Sequence, residues 1–314
     1  MGSGTAQNVL IVGQGSIGLR HRDVLQSLGA GVIAVSRRPG LGQFASIEAA
    51  LAASPVDVVA IATETAQHAA NLADLARLEF RAKVLVEKPI VAWTKDLIAE
   101  RPSGPIFAGY NLRFLPVVSA LKSALAADSS RLIASQFHVG QALQTWRPGR
   151  DNASVYSAHR DQGGGALRDL SHELDLAMYL FGKMETLTAI GGRYSEQTID
   201  SDDAWSILAI CERCPQVTVT LNAIDDVPSR SIAVSTSHHR YYADLISGVL
   251  TVDREERRCD TERNESYRRM WQAVLTGDGA DALCDWGSAV SVMHVIGAAE
   301  AASEKRSWIN LSDE

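Results

Sequence analysis

Residues 8–21 read NVLIVGQGSIGLRH, and the fold turns on how that run is divided. Val9 to Val12 are apolar and mostly β-branched, the texture of a strand buried on both faces. From Ile17 onward the apolar residues follow a helical spacing to Leu28, and Gly29 is the stop signal. Gly13, Gly15 and Gly18 stand between the two segments in a G-x-G-x-x-G pattern. In that context each glycine has a mechanical reason. Gly13 permits the tight turn, Gly15 lets the backbone approach a pyrophosphate, and Gly18 allows the helix to pack closely on the strand. The free N–H groups of the helix N-terminus then face the phosphates. Glycines would equally serve a tight turn with no ligand, so the strand and helix on either side carry the assignment.

Outward from this loop the chain keeps alternating. Strands are expected at 32–35, 56–62, 83–86 and 106–109, with helices near 46–53 and 66–78, which describes a doubly wound parallel sheet with crossover helices. The second strand ends in Ser36-Arg37-Arg38, where an acidic residue would hydrogen-bond the ribose 2'-hydroxyl of NAD. A hydroxyl and two guanidinium groups suit a 2'-phosphate instead, so NADP is favoured and NAD stays open. Solvated arginines after a strand are the plain alternative. Beyond residue 116 a helix at 117–126 leads to a strand at 132–138 and a polar stretch, 140–165. After a helix at 171–181, strands at 186–190, 205–210, 217–224 and 231–236 follow one another without helices. That order predicts a largely antiparallel sheet in an α+β arrangement. The expected organisation is a Rossmann dinucleotide-binding domain over 1–116 and an α+β substrate-binding and oligomerisation domain over 117–314. The charged stretch 253–269 reads as a solvated loop running into a helix, and 286–302 as a closing helix.

Composition narrows the classes. The 314 residues are 46% hydrophobic and 21% charged, as in a globular protein, and the net charge of -7 gives no support to a nucleic-acid partner. No apolar run approaches the roughly 20 residues a membrane span needs. The first residues lack the basic and apolar regions of a signal peptide, so the expected location is cytoplasmic. Cys211 and Cys214 form a C-x-x-C, but Pro215 follows and the flanks read as two strands meeting at a turn, which favours reduced structural thiols over a zinc or redox site.

With Glu87-Lys88-Pro89 at the end of a strand, the chain resembles the glucose-fructose oxidoreductase / inositol dehydrogenase / rhizopine catabolism protein (Gfo/Idh/MocA) family. The stretches that carry the resemblance are GQGSIGLRH, VDVVAIATETAQHA (56–69), VLVEKPIV (84–91), GYNLRFLP (109–116) and GGGALRDLSHELDLAMYLFG (163–182). The resemblance implies NAD(P)-dependent oxidation or reduction of a sugar, nucleotide sugar or cyclitol by a homodimer or homotetramer. Its matching positions imply cofactor contacts from Gly13, Gln14, Gly15, Ser16, Ile17 and Gly18, and from Ser36, Arg37 and Arg38. Thr63, Glu64 and His68 after the third strand, and Glu87 and Lys88 after the fourth, complete that set. The family's catalytic lysine falls on Lys88, its helix histidine on His172 and its aspartate on Asp169. Two departures stand out: Asp169 and His172 are three apart where relatives often read D-x-x-x-H, and Glu64 occupies a position where many carry proline. His172 still opens an H-x-x-D helix start, with Asp175 as its last member.

Hydride chemistry belongs to the nicotinamide, so the protein has to hold the substrate and move one proton. His172 titrates near neutrality unperturbed, whereas Lys88 would need its pKa lowered from about 10.4. His172 is therefore read as general acid/base and Lys88 as the cationic donor to the reacting oxygen, and the exchanged roles remain open. Asp169 would orient the histidine, although an aspartate before a helix is also a common cap. Trp146, Arg147, Arg150 and Tyr156, in the polar stretch before the glycine triplet, join Lys88, Asp169 and His172 as expected substrate contacts. Their arginines point to an anionic ligand such as a nucleotide-sugar diphosphate or a sugar carboxylate. Arg113 and Asn111 are weaker candidates. No metal is expected. A dinucleotide-binding sensor without catalysis is the rival from another class, and an enzyme that returns the hydride within one cycle is a variant of the first reading.

Overall fold

The computed structural model describes residues 7–38, 40–97, 100–146, 155–259 and 262–311. They form two compact units, one built from the chain up to Asn111 together with Asn264–Val290, the other from Leu112–Arg263 and the chain from Ser291 onward.

In the first unit β1 (Asn8–Val12), α1 (Ser16–Ser27), β2 (Gly31–Val35), α2 (Ile47–Ala53), β3 (Val58–Ile61), α3 (His68–Arg77), β4 (Lys83–Val86) and β5 (Ile106–Ala108) follow in order. The strands lie parallel in the order β5-β4-β3-β1-β2. Val9 to Val12, Val58 to Ile61 and Val84 to Val86 are all buried, so these strands show apolar runs rather than alternation. The chain leaves β1 for β2 on one side and returns through β3 on the other, which puts a topological switch point at the carboxyl ends of β1 and β3.

The second unit contains α4 (Pro116–Ala127), β6 (Leu132–Gly140), α5 (Leu143–Trp146), α6 (Ala166–Asp169), α7 (His172–Phe181), β7 (Met184–Gly192), β8 (Ala204–Cys211), β9 (Cys214–Asn222), β10 (Ser229–Thr236), β11 (Arg240–Asp244), β12 (Val249–Val252) and β13 (Glu255–Arg258). Later elements are α8 (Glu265–Thr276), β14 (Cys284–Asp285), α9 (Trp286–Lys305) and β15 (Ile309–Asn310). β14 adds an antiparallel edge to β5 in the first sheet. The second sheet has nine strands in the order β13-β12-β11-β10-β6-β9-β8-β7-β15, antiparallel except for β6 beside β9. β8 buries Trp205, Ile207, Ala209 and Cys211 on alternate positions and exposes Ser206, Leu208 and Ile210. The buried face is covered by α4, α6 and α7, with Phe181 of α7 edge-on to Phe137 of β6 at 6.1 Å. The mixed α/β fold expected from the sequence is the fold observed.

Two local expectations change. The charged stretch after residue 253 is not simply a loop: Glu255–Arg258 is a fully exposed edge strand, and its four charged side chains suit a position where an uncharged edge would invite pairing with another chain. Strands β11 and β12, which precede it, were also not anticipated, because their alternation is short and interrupted by Gly248. The C-x-x-C does lie at a strand-to-strand turn, where Cys211 and Cys214 are cross-strand partners between β8 and β9. Both thiols are buried, and burial pushes Cys211 up to about 12. Among the described residues no helix is long and apolar enough to cross a membrane.

Candidate functional site

The glycine loop joins the end of β1 to α1. Gly13 has φ 103, and a Cβ there would lie 2.6 Å from the Ala62 carbonyl oxygen. A Cβ on Gly18 would lie 2.0 Å from the Gly13 carbonyl oxygen. Both glycines are therefore explained by the chain's own packing. Gly15 is different: its φ of -77 suits any residue, and nothing lies within 4 Å of the Cβ it lacks. It is the N-cap of α1 and offers no side chain to the helix's free N–H groups. Gln14 is buried beside it; its side-chain N–H donates to the Gly13 carbonyl, and its Oε1 has no hydrogen-bond partner. A cradle that the fold itself does not fill and an uncapped helix start fit the phosphates of a dinucleotide, and the orphaned acceptor suits one of its hydroxyl donors. Ser16, Ile17 and Gly18 form the first turn behind it. At the end of β2, Ser36 Oγ accepts from the Arg38 amide at 3.1 Å, and the side chains of Arg37 and Arg38 are exposed.

The loops after β3 and β4 are tied together by one buried histidine. His68 places Nδ1 3.0 Å from the Pro89 carbonyl and Nε2 3.2 Å from the Thr63 carbonyl. Burial lowers its pKa against the opposing pull of those carbonyls and of Glu87, which keeps the ring neutral, so it donates to one carbonyl at a time. Thr63 Oγ1 also accepts from Asn71, while Glu64 is exposed and accepts from the Gln67 amide group. Glu87 is buried: Oε1 meets His21 Nε2 at 2.9 Å and Oε2 accepts from the Lys88 amide at 3.3 Å. Burial alone would raise the Glu87 pKa, but the hydrogen bond from His21 and the charge of Lys88 bring it below the usual carboxylate value.

His21 was not singled out from the sequence, although a signal was present. Ile17, His21, Val24 and Leu28 share one face of α1, so a histidine stands in an apolar stripe. It is 1% exposed, and Trp271 of α8 donates its indole N–H to His21 Nδ1 at 2.9 Å. No local pattern could reveal Trp271 as its partner, since the two lie 250 positions apart.

In the second unit, α6 and α7 carry Asp169 and His172, both buried. Tyr156 donates its hydroxyl to Asp169 Oδ1 at 2.8 Å, so the structure brings these two expected substrate residues together. Gly165, φ 121, begins α6 at a point where a Cβ would strike the Asp202 carboxylate, and that carboxylate accepts from the Leu167 amide at 2.8 Å. Asp202 was missed from the sequence; burial raises its pKa, opposed by the Leu167 and Trp205 hydrogen bonds. α7 is fixed by ion pairs with well-separated partners. Arg113 forks onto Asp175 (2.6 and 2.9 Å), Arg230 onto Glu173 (2.6 and 2.9 Å), and Arg168 of α6 onto Glu300 of α9 (2.9 and 3.1 Å). Arg113 is thus engaged by Asp175, and Asn111 donates to Ser266 at 2.8 Å. Trp146 is half-buried and donates to the Gln141 carbonyl at 3.0 Å. Arg147 and Arg150 lie outside the described residues. Lys88 belongs to the first unit and His172 to the second. Among the described residues there is no cluster of histidine, cysteine, aspartate or glutamate able to hold a metal ion.

The glycine cradle at the end of β1 in a parallel sheet, followed by a nine-stranded open sheet, defines a two-unit α/β protein with a dinucleotide-binding fold. Residues 135–241 match the family model of the GFO/IDH/MocA C-terminal domain. The fold is shared over nearly the whole chain with solved structures. GenD2 from gentamicin A biosynthesis, solved in complex with NAD, is 22% identical with a TM-score of 0.80, covering 99% of this chain and 98% of its own. An inositol dehydrogenase homologue from Azotobacter vinelandii, complexed with NAD+, is 14% identical with a TM-score of 0.82, covering 97% of each chain. The WlbA dehydrogenase from Bordetella pertussis, in complex with NADH and UDP-GlcNAcA, is 16% identical with a TM-score of 0.80, covering 98% of each. At these identities the likeness establishes the fold. No curated protein sequence is detectably similar to the chain.

Proposed function

We propose that the chain is a nicotinamide-dinucleotide-dependent oxidoreductase that moves a hydride between its cofactor and a hydroxyl or keto group of a sugar, nucleotide sugar or cyclitol. One observation carries this reading: Gly13 and Gly18 are required by the chain's own packing, whereas Gly15, at the uncapped start of α1, has an unstrained backbone and open space beside it, through which a phosphate can approach the helix N–H groups. The ligands named for the similar structures above, NAD(H) with a nucleotide sugar in one case, support the same class.

Gly13 to Gly18 would hold the pyrophosphate, and Thr63, Glu64 and His68 with Glu87 and Lys88 would border the nicotinamide. When bound, the nicotinamide supplies or accepts the hydride. Lys88 is the cationic donor to the substrate oxygen, and His172 takes the hydroxyl proton on oxidation and returns it on reduction. Asp169, with Tyr156 on its Oδ1, would orient His172. The exposed pair Arg37 and Arg38, with Ser36, favours NADP over NAD through contacts with the 2'-phosphate. Trp146, Arg147 and Arg150 are the proposed contacts to an anionic portion of the substrate. Two copies associate through the outer face of the second sheet, where the row Thr188, Leu208, Thr218, Gln136, Ala233 and Tyr242 carries no charge; sedimentation as a monomer would remove that part.

The test is a screen of NADPH and NADH fluorescence changes with neutral sugars, nucleotide sugars and cyclitols. Lys88→Ala and His172→Ala are expected to keep dinucleotide binding and to lose turnover by about a hundredfold or more. Wild-type rates in both variants would overturn the chemistry. Equal affinity of the wild type for NADPH and NADH would remove the NADP preference alone.

A further inference from the structure

Three buried groups from distant parts of the first unit stand in line behind Lys88. Trp271 of α8 is fully buried and its indole N–H, which can only donate, is 2.9 Å from His21 Nδ1. That bond assigns the ring's tautomer: Nδ1 must accept, so the proton sits on Nε2, which donates to Glu87 Oε1 at 2.9 Å. The other carboxylate oxygen accepts from the backbone N–H of Lys88. Glu87 fits this place only because residue 109 lacks a side chain; a Cβ there would lie 2.9 Å from Oε1. The ring of His21 is held on two further edges by Tyr267 at 5.6 Å and Trp271 at 5.5 Å, both nearly perpendicular to it.

We infer that Trp271, His21 and Glu87 form a positioning relay for Lys88, which locks the carboxylate in one orientation and sets a fixed negative charge beside the lysine. The inference deepens the oxidoreductase reading and rests on it for the role of Lys88. Its physical content is independent of any cofactor. The charge of Lys88 is felt at the Glu87 carboxylate, and by reciprocity that carboxylate favours the charged form of the amine, so the relay makes Lys88 a firm cationic donor rather than a proton shuttle. His68, which is coupled to Glu87, is kept neutral by burial. His21 sits on α1, directly behind the glycine loop, so the same relay ties the cofactor-binding helix to the lysine.

Glu87→Gln keeps the size of the side chain and removes its charge. The readout is the pH dependence of Lys88 labelling by an amine-reactive reagent in cofactor-free protein, followed peptide by peptide by mass spectrometry, with exposed Lys95 as the internal reference. Loss of the adjacent charge is expected to move the Lys88 midpoint down by about one pH unit, so that labelling below both midpoints rises about tenfold. Trp271→Phe keeps most of the ring and removes only the donor to His21, and is expected to shift the midpoint in the same direction by a smaller amount. In turnover, both variants should lose kcat while KM for the dinucleotide changes by less than about twofold. An unchanged Lys88 midpoint in folded Glu87→Gln overturns the relay. Should Glu87→Gln fail to fold, Trp271→Phe decides: a downward shift supports the relay and an unmoved midpoint overturns it. Absence of turnover with every substrate class would overturn the oxidoreductase reading instead, and the labelling result would still stand on its own.

Discussion

The glycine loop of the first unit and the helix that begins at His172 in the second hold their functional groups by opposite means. Around Gly13 and Gly18 the backbone itself is the device: a positive φ and two close approaches leave no space for a side chain, and the uncapped end of α1 is aimed by the strand before it. Around His172 charge is the device. Glu173 and Asp175 lie in the first turn of α7, are both buried, and each is gripped by an arginine from another element. Negative charge in a first turn also suits the helix dipole. A site set by backbone contacts announces itself in the glycines of one short run, even though the approach to Gly13 comes from Ala62. A site set by ion pairs depends on partners that the chain brings in from afar.

The largest expected effect is on the charged side of this comparison. Asp175→Ala would leave the Arg113 guanidinium buried without its bidentate partner, and unfolding in urea should show a loss of about 3–5 kcal/mol. Replacing both members with apolar residues, Arg113→Met with Asp175→Leu, should recover most of that loss. Arg113→Met/Asp175→Leu would then separate stability from function. Restored stability with a disturbed His172 site would show that the pair exists to place the helix start. A single Asp175→Ala variant as stable as the wild type would break the comparison, because charge would then not be holding α7.

Smaller effects are expected in the glycine loop, and they should split. Gly13→Ala meets both a disallowed φ and the Ala62 carbonyl, and Gly18→Ala meets the Gly13 carbonyl, so each should lose about 1–3 kcal/mol of stability. Gly15→Ala should stay within about 0.5 kcal/mol of the wild type, since its backbone is unstrained and its surroundings are open. It should nevertheless weaken dinucleotide binding by about tenfold, or about 1.4 kcal/mol, read by quenching of nicotinamide fluorescence. Unaltered dinucleotide affinity in Gly15→Ala would mean that the open space beside it has no ligand to serve.

The same contrast explains what was legible in the sequence. β1, α1 and the strand leading to Lys88 could be read directly, because buried parallel strands are continuous apolar runs and their turns carry glycine. His172 was reached through a motif, but the way arginines hold its helix was not: Arg113 stood only as a weaker candidate and Arg230 was not singled out. Arg113, Arg168 and Arg230 lie on separate segments, and an arginine read alone looks solvated. Asp202 and His21 were missed for a related reason. Each is a buried polar residue whose role depends on a partner elsewhere: the Leu167 amide for Asp202, and Glu87 and Trp271 for His21. The histidine in an apolar helical stripe was visible but silent until its partners were known. The charged edge strand Glu255–Arg258 was hidden by composition, since a strand whose task is to repel neighbours shows no apolar alternation.

The smallest effect concerns the neutral tie between the loops after β3 and β4, and it tests whether the first unit really dispenses with charge there. His68 has a pKa below its ordinary value of 6.5 because it is buried. Between that lowered value and 6.5 the unfolded chain binds more protons than the folded one, so stability rises with pH through this window. The contribution is fully present above 6.5 and is lost as the pH falls, at no more than about 1.4 kcal/mol per pH unit. Glu87 acts in the same direction but at lower pH, since its shift lies below the ordinary carboxylate value of 4.5. Glu87 is silent between about pH 5 and 7.5, and exposed His239, raised by its hydrogen bond with Asp253, acts in the opposite direction equally in wild type and variant, so the difference between the two urea profiles isolates His68. His68→Gln, which retains an amide donor for one of the two carbonyls, should flatten the profile in that range while leaving the midpoint near pH 7.5 little changed. An undiminished slope in His68→Gln would assign the acid sensitivity to other groups. It would also show that the Thr63 and Pro89 loops do not rely on an uncharged imidazole.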